Sequence, residues 1–342
     1  MGASHPVFPV LCLNGAEADL MRRVVMFLNP LLVHTAKRRA AVEQIAELLS
    51  GQGADVHLQE TLSAYSAGQQ ARDAVQAGFD TFLVCGGDGT VFQVLQGIAG
   101  ADVTLGVLPF GTGNVIVQNQ HVPRDPVKAA ELLLEAEPRS VSLGKVTVSP
   151  VGHRKKQSWY FFIAAGMGVH AALMNLAPTG HGKRKGGRLA YYVGGVQTLL
   201  EKPVPVFEME WVAADGTKGK ETVSEVIATH VQEINRWKAG GDPFGEALHL
   251  AWVPATGKMG LAHASFHALT SDKANGRRKG WWELPYAQYK SVKKVTCRPL
   301  ESEQYESPLL VEADGEVLGA EQAVIGMAET RLKLLWPKAR QD

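Results

Sequence analysis

Short apolar runs alternate with amphipathic stretches over the first part of the chain. The run Arg23–Leu28 is followed by apolar residues at helical spacing between Ala41 and Leu49, and Asp55–Gln59 is a second extended run. Apolar residues that recur every three or four positions predict a helix, whereas a short continuous apolar run predicts a buried strand. This stretch therefore predicts a strand, a helix and a second strand.

The same alternation continues to about residue 140. Ser66 and Gln69 form a capping-box pattern ahead of a small apolar helix face. Buried strands are predicted at Thr81–Cys85 and Thr104–Leu108, and Asp125, followed by a proline, predicts another helix start. Alternation at this spacing is typical of an α/β domain with a mostly parallel, Rossmann-like sheet.

Extended runs dominate the chain after about residue 140, and they indicate a β-rich sandwich domain. Strands are predicted at Trp159–Ala165, Val204–Val212, Val223–His230, Leu248–Val253, Leu261–Ala268, Ser291–Arg298 and Leu309–Ala313, and one helix near Arg188–Leu200. We expect a leader over residues 1–21, an α/β nucleotide-binding domain over 22–140 and a β-rich acceptor domain over 141–324. The last segment, 325–342, contains an apolar run that either domain could accommodate, with a return to the first domain as one option.

Charge and composition narrow the class of protein. The chain has 342 residues, with 35 Lys and Arg against 34 Asp and Glu, which gives a formal net charge of +1. This balance argues against a nucleic-acid-binding protein, which would be basic overall. No apolar run approaches the roughly 18 residues of a membrane span, and the N-terminus lacks the pattern of a signal peptide. We expect a cytoplasmic protein that meets a membrane only at its surface.

Two glycine-rich loops follow predicted strands, namely GGDGT at Gly86–Thr90 and PFGTGN at Pro109–Asn114. Glycine lets backbone N–H groups approach a phosphate closely, and a following helix N-terminus favours the same anion. Asp88 is unusual beside phosphates unless it serves a metal, a hydroxyl or a proton transfer. A simpler interpretation is a tight turn in which Asp88 caps its own helix. The paired loops favour phosphate binding.

The ordered set of Asn29-Pro30, GGDGT, PFGTGN and a late Asp314-Gly315-Glu316 resembles the diacylglycerol kinase catalytic-domain family, which includes bacterial lipid kinases, sphingosine kinases and ceramide kinases. The resemblance runs from about Arg23 to Pro337. It implies that ATP lies between the two domains. The positions that match the family's nucleotide contacts are Asn29, Thr61, Gly86, Gly87, Gly89, Thr90, Gly111, Thr112, Gly113 and, in a basic stretch, Arg188.

The resemblance also implies two catalytic residues. Glu316 occupies the place of the family's acid that is implicated in catalysis or metal binding, with Asp314 beside it as a further candidate Mg²⁺ ligand. Asp88 matches the residue that related lipid kinases use as the base on the lipid hydroxyl. Phosphoryl transfer needs positioning and charge neutralisation, and a carboxylate can accept the alcohol proton or hold the metal. The sequence does not divide these roles between Asp88 and Glu316, and the DGE segment is also a candidate β-turn.

Several positions depart from the family pattern. Val115 stands where many bacterial members have an acid, Phe92 and Gln93 where many have Asn-Glu, and His170 where an Asp is common. If His170 replaces a lipid-recognising acid, the headgroup it serves would differ from a sphingoid amine. The segment Phe244–Leu250 lacks the Asp of a structural Mg²⁺ site, which puts that metal in question.

The sequence thus predicts an ATP- and Mg²⁺-dependent lipid kinase that phosphorylates a hydroxyl of a diacylglycerol-like or sphingoid lipid at a membrane surface. Two alternatives stay open. One is a kinase for a soluble acceptor, similar to NAD kinases, and the other is a non-catalytic nucleotide- or lipid-binding homologue, which the missing acids suggest. The sequence does not determine the lipid or the oligomeric state, and a homodimer stays open.

Overall fold

A computed structural model describes residues 21–63, 66–149, 155–176, 204–234, 237–255, 280, 283, 286–300, 309–320 and 322–338. The leader up to residue 20, the predicted helix near Arg188–Leu200 with Arg188 itself, and the predicted strand Leu261–Ala268 lie outside the described residues. Within these ranges, no helix combines the length and the apolar character that crossing a membrane requires.

The first part of the chain forms the predicted α/β arrangement. Its elements are β1 (Arg23–Leu28), α1 (Ala36–Gly51), β2 (Asp55–Glu60), α2 (Ala67–Gln76), β3 (Thr81–Gly86), α3 (Asp88–Ile98), β4 (Thr104–Pro109), α4 (Val115–Asn119) and α5 (Pro126–Leu134). The four strands are parallel in the order β4-β3-β1-β2. β3 and β4 are buried along their whole length, whereas the edge strand β2 is largely exposed. The predicted strands are confirmed, and α4 is an addition that the sequence pattern did not indicate.

Two predicted helix starts have different outcomes. Asp125 caps α5 as predicted, because its carboxylate accepts the N–H groups of Val127 and Lys128. The prediction of a capping box at the start of α2 is wrong. The Ser66 backbone is already helical, and its hydroxyl accepts the N–H of Ser63 at 2.8 Å instead of the N–H of Gln69. The turn upstream of α2 therefore competes successfully for the serine side chain.

The second part of the chain is rich in strands, as predicted. Its elements are β5 (Glu137–Ser149), β6 (Gln157–Phe161), β7 (Ala164–Gly168), α6 (Val169–Leu176), β8 (Phe207–Ala213), β9 (Lys218–Thr229), β10 (Glu233–Ile234), β11 (Trp237–Lys238), β12 (Leu248–Pro254), β13 (Gln288–Pro299), β14 (Leu310–Ala313), β15 (Glu316–Ala320) and β16 (Gln322–Trp336). The predicted strand Trp159–Ala165 is wrong in its extent, since the chain turns between β6 and β7. The fold class, an α/β part followed by a strand-rich part, is confirmed.

The long strand β16 joins the two parts. Near its start it pairs antiparallel with β13, and near its end Lys333 and Leu334 pair in parallel with Thr104 and Leu105 of β4. β5 pairs antiparallel with β16 on both sides of a register shift. The described strands thus form a hydrogen-bonded path in the order β15-β14-β7-β9-β12-β13-β16-β4-β3-β1-β2. The expected boundary at residue 140 falls inside β5 and the one at residue 324 falls inside β16, and the division into domains stays a prediction.

Two clusters of buried apolar side chains form the core, and each receives residues from the other part. Leu332, Leu334 and Leu335 of β16 belong to the cluster around β1, β3 and β4. Phe92 of α3 belongs to the cluster of the strand-rich part. The Gln96 side chain also donates to Tyr160 O at 2.8 Å and accepts from Tyr160 N at 2.9 Å. Helix α3 is therefore fixed against both parts of the chain.

Candidate active site

The carboxyl ends of three parallel strands open into one cavity of about 390 Å³. It lies between the loop after β1, the loop after β2 and the start of α3. The lining residues are Asn29, Pro30, Leu31, Leu32, Thr61, Leu62, Ser63, Ala67, Gly87, Gly89, Thr90, Gln93 and Glu316. In the sheet, β1 lies between β2 and β3, so the direction in which successive strands are added reverses at β1. Open α/β sheets bind ligands at such a switch point.

Asn29 and Thr61 hold the walls of this cavity. Asn29 Nδ2 donates to Thr90 Oγ1 at 3.0 Å, and Asn29 Oδ1 accepts the N–H of Leu31 at 3.0 Å. The Thr61 hydroxyl donates to Leu28 O at 3.3 Å. Asn29 therefore ties the loop after β1 to α3. Because Thr90 Oγ1 accepts from Asn29, its own hydroxyl proton can be donated to a ligand.

The start of α3 presents backbone donors to the cavity. Gly87 is the N-cap in an extended conformation, and its carbonyl accepts the N–H groups of Thr90 and Val91 at 2.9 and 3.1 Å. The N–H groups before these have no carbonyl one turn earlier in the helix. Together with the helix dipole, they form a site that favours an anion such as a phosphate.

The second glycine-rich loop supports the first and does not line the cavity. A Cβ atom on Gly111 would lie 2.5 Å from Gly87 Cα, and one on Gly113 would lie 2.6 Å from Asp88 Oδ2. A Cβ on Gly86 would lie 2.7 Å from Thr90 Cβ. Glycine at these positions is thus required by packing within and between the loops. Their contact with a nucleotide stays a prediction.

Asp88 stands at the first position of α3, but its carboxylate serves a different helix. Asp88 Oδ1 accepts the N–H of Val115 at 2.9 Å, at the start of α4. Asn114, the N-cap of α4, has a left-handed backbone with φ 51° and makes no side-chain cap bond of its own. The interpretation that Asp88 caps its own helix is therefore wrong. Burial raises the pKa of Asp88, and the N–H groups at the start of α4 oppose that rise.

The DGE segment is a two-residue hairpin turn between β14 and β15. Ala313 pairs with Glu316, and the two residues between them, Asp314 and Gly315, have φ values of 49° and 89°. Positive φ at both central positions is the geometry of a type I′ turn, for which Asp-Gly is a favoured sequence. The β-turn interpretation of this segment is confirmed.

The Asp314 carboxylate is directed at the backbone of the β6–β7 connection. Asp314 Oδ2 accepts the N–H of Phe162 at 2.9 Å, and Oδ1 accepts those of Ile163 and Ala164 at 2.8 and 3.0 Å. These bonds explain why the predicted strand Trp159–Ala165 is interrupted. Burial raises the pKa of Asp314 to about 7, and the three N–H groups oppose that rise. Both carboxylate oxygens are engaged, and the role of Asp314 as a metal ligand stays a prediction.

Glu316 comes from the strand-rich part and reaches the cavity beside Gly89. A Cβ on Gly89 would lie 2.7 Å from Glu316 Oε1. Burial raises the pKa of this half-buried carboxyl. Among the described residues, Glu316 is the only carboxylate that lines the cavity, and no group of three or more His, Cys, Asp or Glu side chains could hold a metal by itself. The residues fit a Mg²⁺ ion that shares one carboxylate with phosphates and water, which is how proteins commonly bind it.

The structure brings together about half of the predicted site. Asn29, Thr61, Gly87, Gly89, Thr90 and Glu316 line the cavity, whereas Gly86, Gly111, Gly113, Asp88 and Asp314 pack around it without lining it. Thr112 is exposed and does not line the cavity either. Arg188 lies outside the described residues. Sequence reasoning missed Leu31, Leu62 and Gln93 as lining residues. Gln93 follows Gly89 by one helical turn, so the helical spacing of α3 was the available signal.

Comparisons with known proteins agree with this geometry. Residues 23–146 match the family model of the diacylglycerol kinase catalytic domain. The chain is 30% identical to a diacylglycerol kinase of Mycobacterium tuberculosis (strain H37Rv) over 185 residues, which are 54% of this chain and 57% of that protein. It is also 30% identical to a diacylglycerol kinase of Bacillus subtilis (strain 168) over 197 residues, 56% of this chain and 60% of that protein. The matches thus span little more than half the length of these relatives.

Solved structures extend the likeness in fold to most of the chain. A crystal structure of a diacylglycerol kinase from Bacillus anthracis (strain Sterne) superimposes with a TM-score of 0.62 at 16% identity, covering 92% of this chain and 97% of that one. At this identity the likeness concerns the fold alone. Over residues 23–146, the chain is therefore similar to the diacylglycerol kinase catalytic domain family.

Proposed function

We propose that this protein is a lipid kinase that transfers the γ-phosphoryl group of ATP to a hydroxyl of a diacylglycerol-like or sphingoid lipid. The observation that carries this proposal is a cavity in which the Glu316 carboxylate lies beside the N-terminus of α3. Backbone donors for phosphate oxygens and an adjacent carboxylate are the two features that phosphoryl transfer requires, because its catalysis is mostly positioning and charge stabilisation.

The cavity supports ATP as the phosphoryl donor. The N–H groups at Gly87–Gly89 and the Thr90 hydroxyl would bind phosphate oxygens. Leu31 and Leu62 are 58% and 82% exposed at the same cavity. Exposed apolar side chains beside a phosphate site suit the planar face of a nucleobase, which would otherwise remain in water.

Two carboxylates would have separate roles in the transfer step, one in binding Mg²⁺ and one in accepting a proton. Glu316 would hold Mg²⁺, which neutralises charge on the phosphates when it is bound. Asp88 would act as the general base that accepts the proton of the acceptor hydroxyl. Burial raises the pKa of Asp88, which moves this group toward the neutral range in which a general base works best. In this assignment Asp88 both accepts a proton and caps α4.

The test is transfer of labelled γ-phosphate from Mg-ATP to a mixed-micelle panel of diacylglycerol, monoacylglycerol, sphingosine, ceramide and phosphatidylglycerol, with NAD as a soluble acceptor. We expect label on at least one lipid. Asp88→Asn and Glu316→Gln should each lower kcat by about 100-fold or more, as removal of a general base or a charge-stabilising group does. The matched control is Asp102→Asn, which alters an exposed carboxylate before the start of β4 and should leave kcat unchanged.

The two alternatives give different results in the same assay. Label on NAD alone would identify a soluble-acceptor kinase. ATP binding measured by calorimetry, without label on any acceptor, would contradict the kinase and favour a non-catalytic nucleotide-binding homologue.

A further inference from the structure

Three acid or imidazole side chains meet next to the DGE turn, outside the cavity. We call His170, Glu225 and Glu312 the His170 cluster. His170 Nε2 lies 3.6 Å from Glu312 Oε1, and His170 Nδ1 lies 3.9 Å from Glu225 Oε1. Glu225 Oε2 accepts the backbone N–H of His170 at 2.8 Å, which fixes the start of α6 over β9. None of the three residues lines the cavity.

Glu312 is the member of the His170 cluster that reaches the turn. Its Oε2 accepts the N–H of Gly315 at 2.9 Å, and its Oε1 faces His170. The Glu312 side chain is 2% exposed. A register shift lies between Val311 and Glu312 in the pairing of β14 with β15. A bulge of this kind changes the direction in which a side chain points. Here the Glu312 side chain is directed at the turn, where it accepts the N–H of Gly315 three residues later.

The backbone of β7 leaves just enough room for this arrangement. A Cβ on Gly166 would lie 3.3 Å from His170 Nδ1 and 3.4 Å from Glu312 Oε1, and 2.7 Å from Val226 O. The imidazole and the carboxylate thus pack directly on the strand. Because the interior is close-packed, the Glu312 carboxylate has little space to leave Gly315 without displacing His170.

Two buried carboxylates therefore hold the turn that precedes Glu316. Asp314 ties it to the β6–β7 connection through three N–H groups, and Glu312 ties Gly315, the residue directly before Glu316. Burial raises the pKa of Glu312 well above its ordinary value, and in either protonation state the side chain keeps an oxygen that accepts the N–H of Gly315. A backbone held in this way restricts where the following side chain can point.

We propose that Glu312, supported by His170 and Glu225, is a positioning residue that aims the Glu316 carboxylate at the start of α3. This inference rests on the proposed function, in which Glu316 acts on phosphoryl transfer. Glu312 acts through the backbone of Gly315. A displacement of about 1 Å at a reacting group can cost about 100-fold in rate, so a small shift of the turn is sufficient for a large effect.

Substitutions at position 312 separate this role from a general contribution to stability. Glu312→Gln keeps an oxygen that accepts from Gly315, and we expect it to retain kcat to within about threefold, or less than 1 kcal/mol by the rate relation. Glu312→Leu removes the acceptor at similar volume, and Glu312→Asp shortens it. Both should lower kcat about 100-fold. Should Glu312→Leu fail to fold, Glu312→Asp provides the same comparison.

Two readouts do not require turnover. Amide hydrogen exchange of the peptide that contains Gly315 should be slow in the wild type and in Glu312→Gln, and faster in Glu312→Leu. The gain in ATP affinity on adding Mg²⁺ should be lost both in Glu312→Leu and in Glu316→Gln. If the wild type phosphorylates no lipid, the proposed function fails, and these two measurements still decide the positioning role.

The matched control is Glu221→Leu. Glu221 lies on β9, and its Oε2 accepts the N–H of Trp252 Nε1 at 2.9 Å. This change therefore also removes a hydrogen bond between an N–H group and a carboxyl oxygen, but at a site away from the DGE turn. It should lower the melting temperature without changing kcat. Unchanged kcat and unchanged Mg²⁺-dependent ATP affinity in Glu312→Leu and Glu312→Asp would overturn the proposal. Equal losses in Glu312→Gln and Glu312→Leu would also overturn it, because the hydrogen bond to Gly315 would then be irrelevant.

Discussion

At the scale of single residues, the two glycine-rich loops touch each other more closely than any side chain would permit. A methyl group on Gly111 would lie 2.5 Å from Gly87 Cα and 3.2 Å from Gly87 N. Gly87 is part of the backbone that faces the cavity. The loop PFGTGN therefore shapes the candidate phosphate site by setting the position of GGDGT.

Gly111→Ala tests this contact. The added methyl group cannot be accommodated without separating the loops, so we expect the free energy of unfolding to fall by about 1–3 kcal/mol and ATP binding to weaken with it. Chemical denaturation and calorimetric titration with ATP measure the two effects. Gly51→Ala is the control, because a Cβ at this helix end has no atom within 4 Å. Equal stability and ATP affinity for Gly111→Ala and the wild type would contradict the packing argument.

His230 is a buried residue whose titration has a defined consequence for stability. It is fully buried at the end of β9, with its ring centroid 5.8 Å from that of Phe162. Burial lowers the pKa of His230 to about 4. The unfolded chain, with an ordinary histidine pKa, takes up this proton at higher pH than the folded protein does. Its contribution to stability is thus present above about pH 6.5 and is lost as the pH falls toward 4.

His230→Gln should remove this acid-sensitive contribution. Between pH 7 and pH 4, the stability difference between wild type and variant should shift in favour of the variant by about 3 kcal/mol. Urea denaturation at several pH values measures the shift. The difference in stability between wild type and variant cancels the contributions of the other titrating groups. One of them is Glu225, whose pKa burial raises to about 8 and whose contribution to stability therefore depends on pH in the opposite direction. His57→Gln, at an exposed position on β2, is the control. A difference that does not vary with pH would contradict the burial argument.

At the scale of elements, the short helix α4 depends on a carboxylate from another helix. Its own N-cap, Asn114, donates its side-chain amide to Gly111 O at 2.9 Å and so supports the preceding loop. Asp88 supplies the missing acceptor at Val115. Helices of this length gain little stability from their own hydrogen bonds, so the position of α4 depends on this cap and on burial.

Asp88→Ala and Asp88→Asn should therefore differ in stability. Alanine removes the acceptor for Val115 N–H and should cost about 1 kcal/mol in the free energy of unfolding, a typical value for an N-cap. Asparagine keeps an oxygen acceptor and should cost less. Both should lose phosphoryl transfer under the proposed function. Asp125→Ala is the control, because it removes the ordinary cap of α5 and should cost stability alone. Equal stability for the two Asp88 variants would show that the cap contributes nothing.

At the scale of the whole molecule, β16 is the element that the two parts share. Its first half pairs with β13 and its last residues pair with β4, while Leu332, Leu334 and Leu335 enter the first core. The α/β part thus takes the neighbouring strand of β4 and several buried side chains from the far end of the sequence. Packing in one part is coupled to the presence of the other.

Leu334→Ala and Lys333→Ala test this coupling at adjacent positions of the same pairing. Leu334 is 1% exposed, and its truncation should lower the free energy of unfolding by about 2–5 kcal/mol. Lys333 forms an exposed ion pair with Asp102, and its loss should cost well under about 1 kcal/mol. Denaturant unfolding measures both. A cost for Leu334→Ala as small as that for Lys333→Ala would show that the return of β16 does not stabilise the α/β part.

Features that depend only on neighbouring residues can be predicted from the sequence. The order of strands and helices up to α5, except for the short helix α4, follows from periodicity. The positions of the two glycine-rich loops and the β-turn at Asp314-Gly315 follow from turn chemistry within a few positions. Local signals failed at Ser66, where an upstream turn takes the capping hydroxyl, and between β6 and β7, where Asp314 takes three backbone donors.

The use of those features depends on long-range contacts that the folded chain makes. The fold carries Glu316 beside Gly89, turns Asp88 toward α4 and Asp314 toward Phe162, and pairs the end of β16 with β4. Each of these contacts joins residues that are far apart along the chain, and their partners are selected by how strands order in the sheet and how side chains pack. Local periodicity carries no information about that choice, so the sequence identified the chemical groups and the fold decided which of them meet.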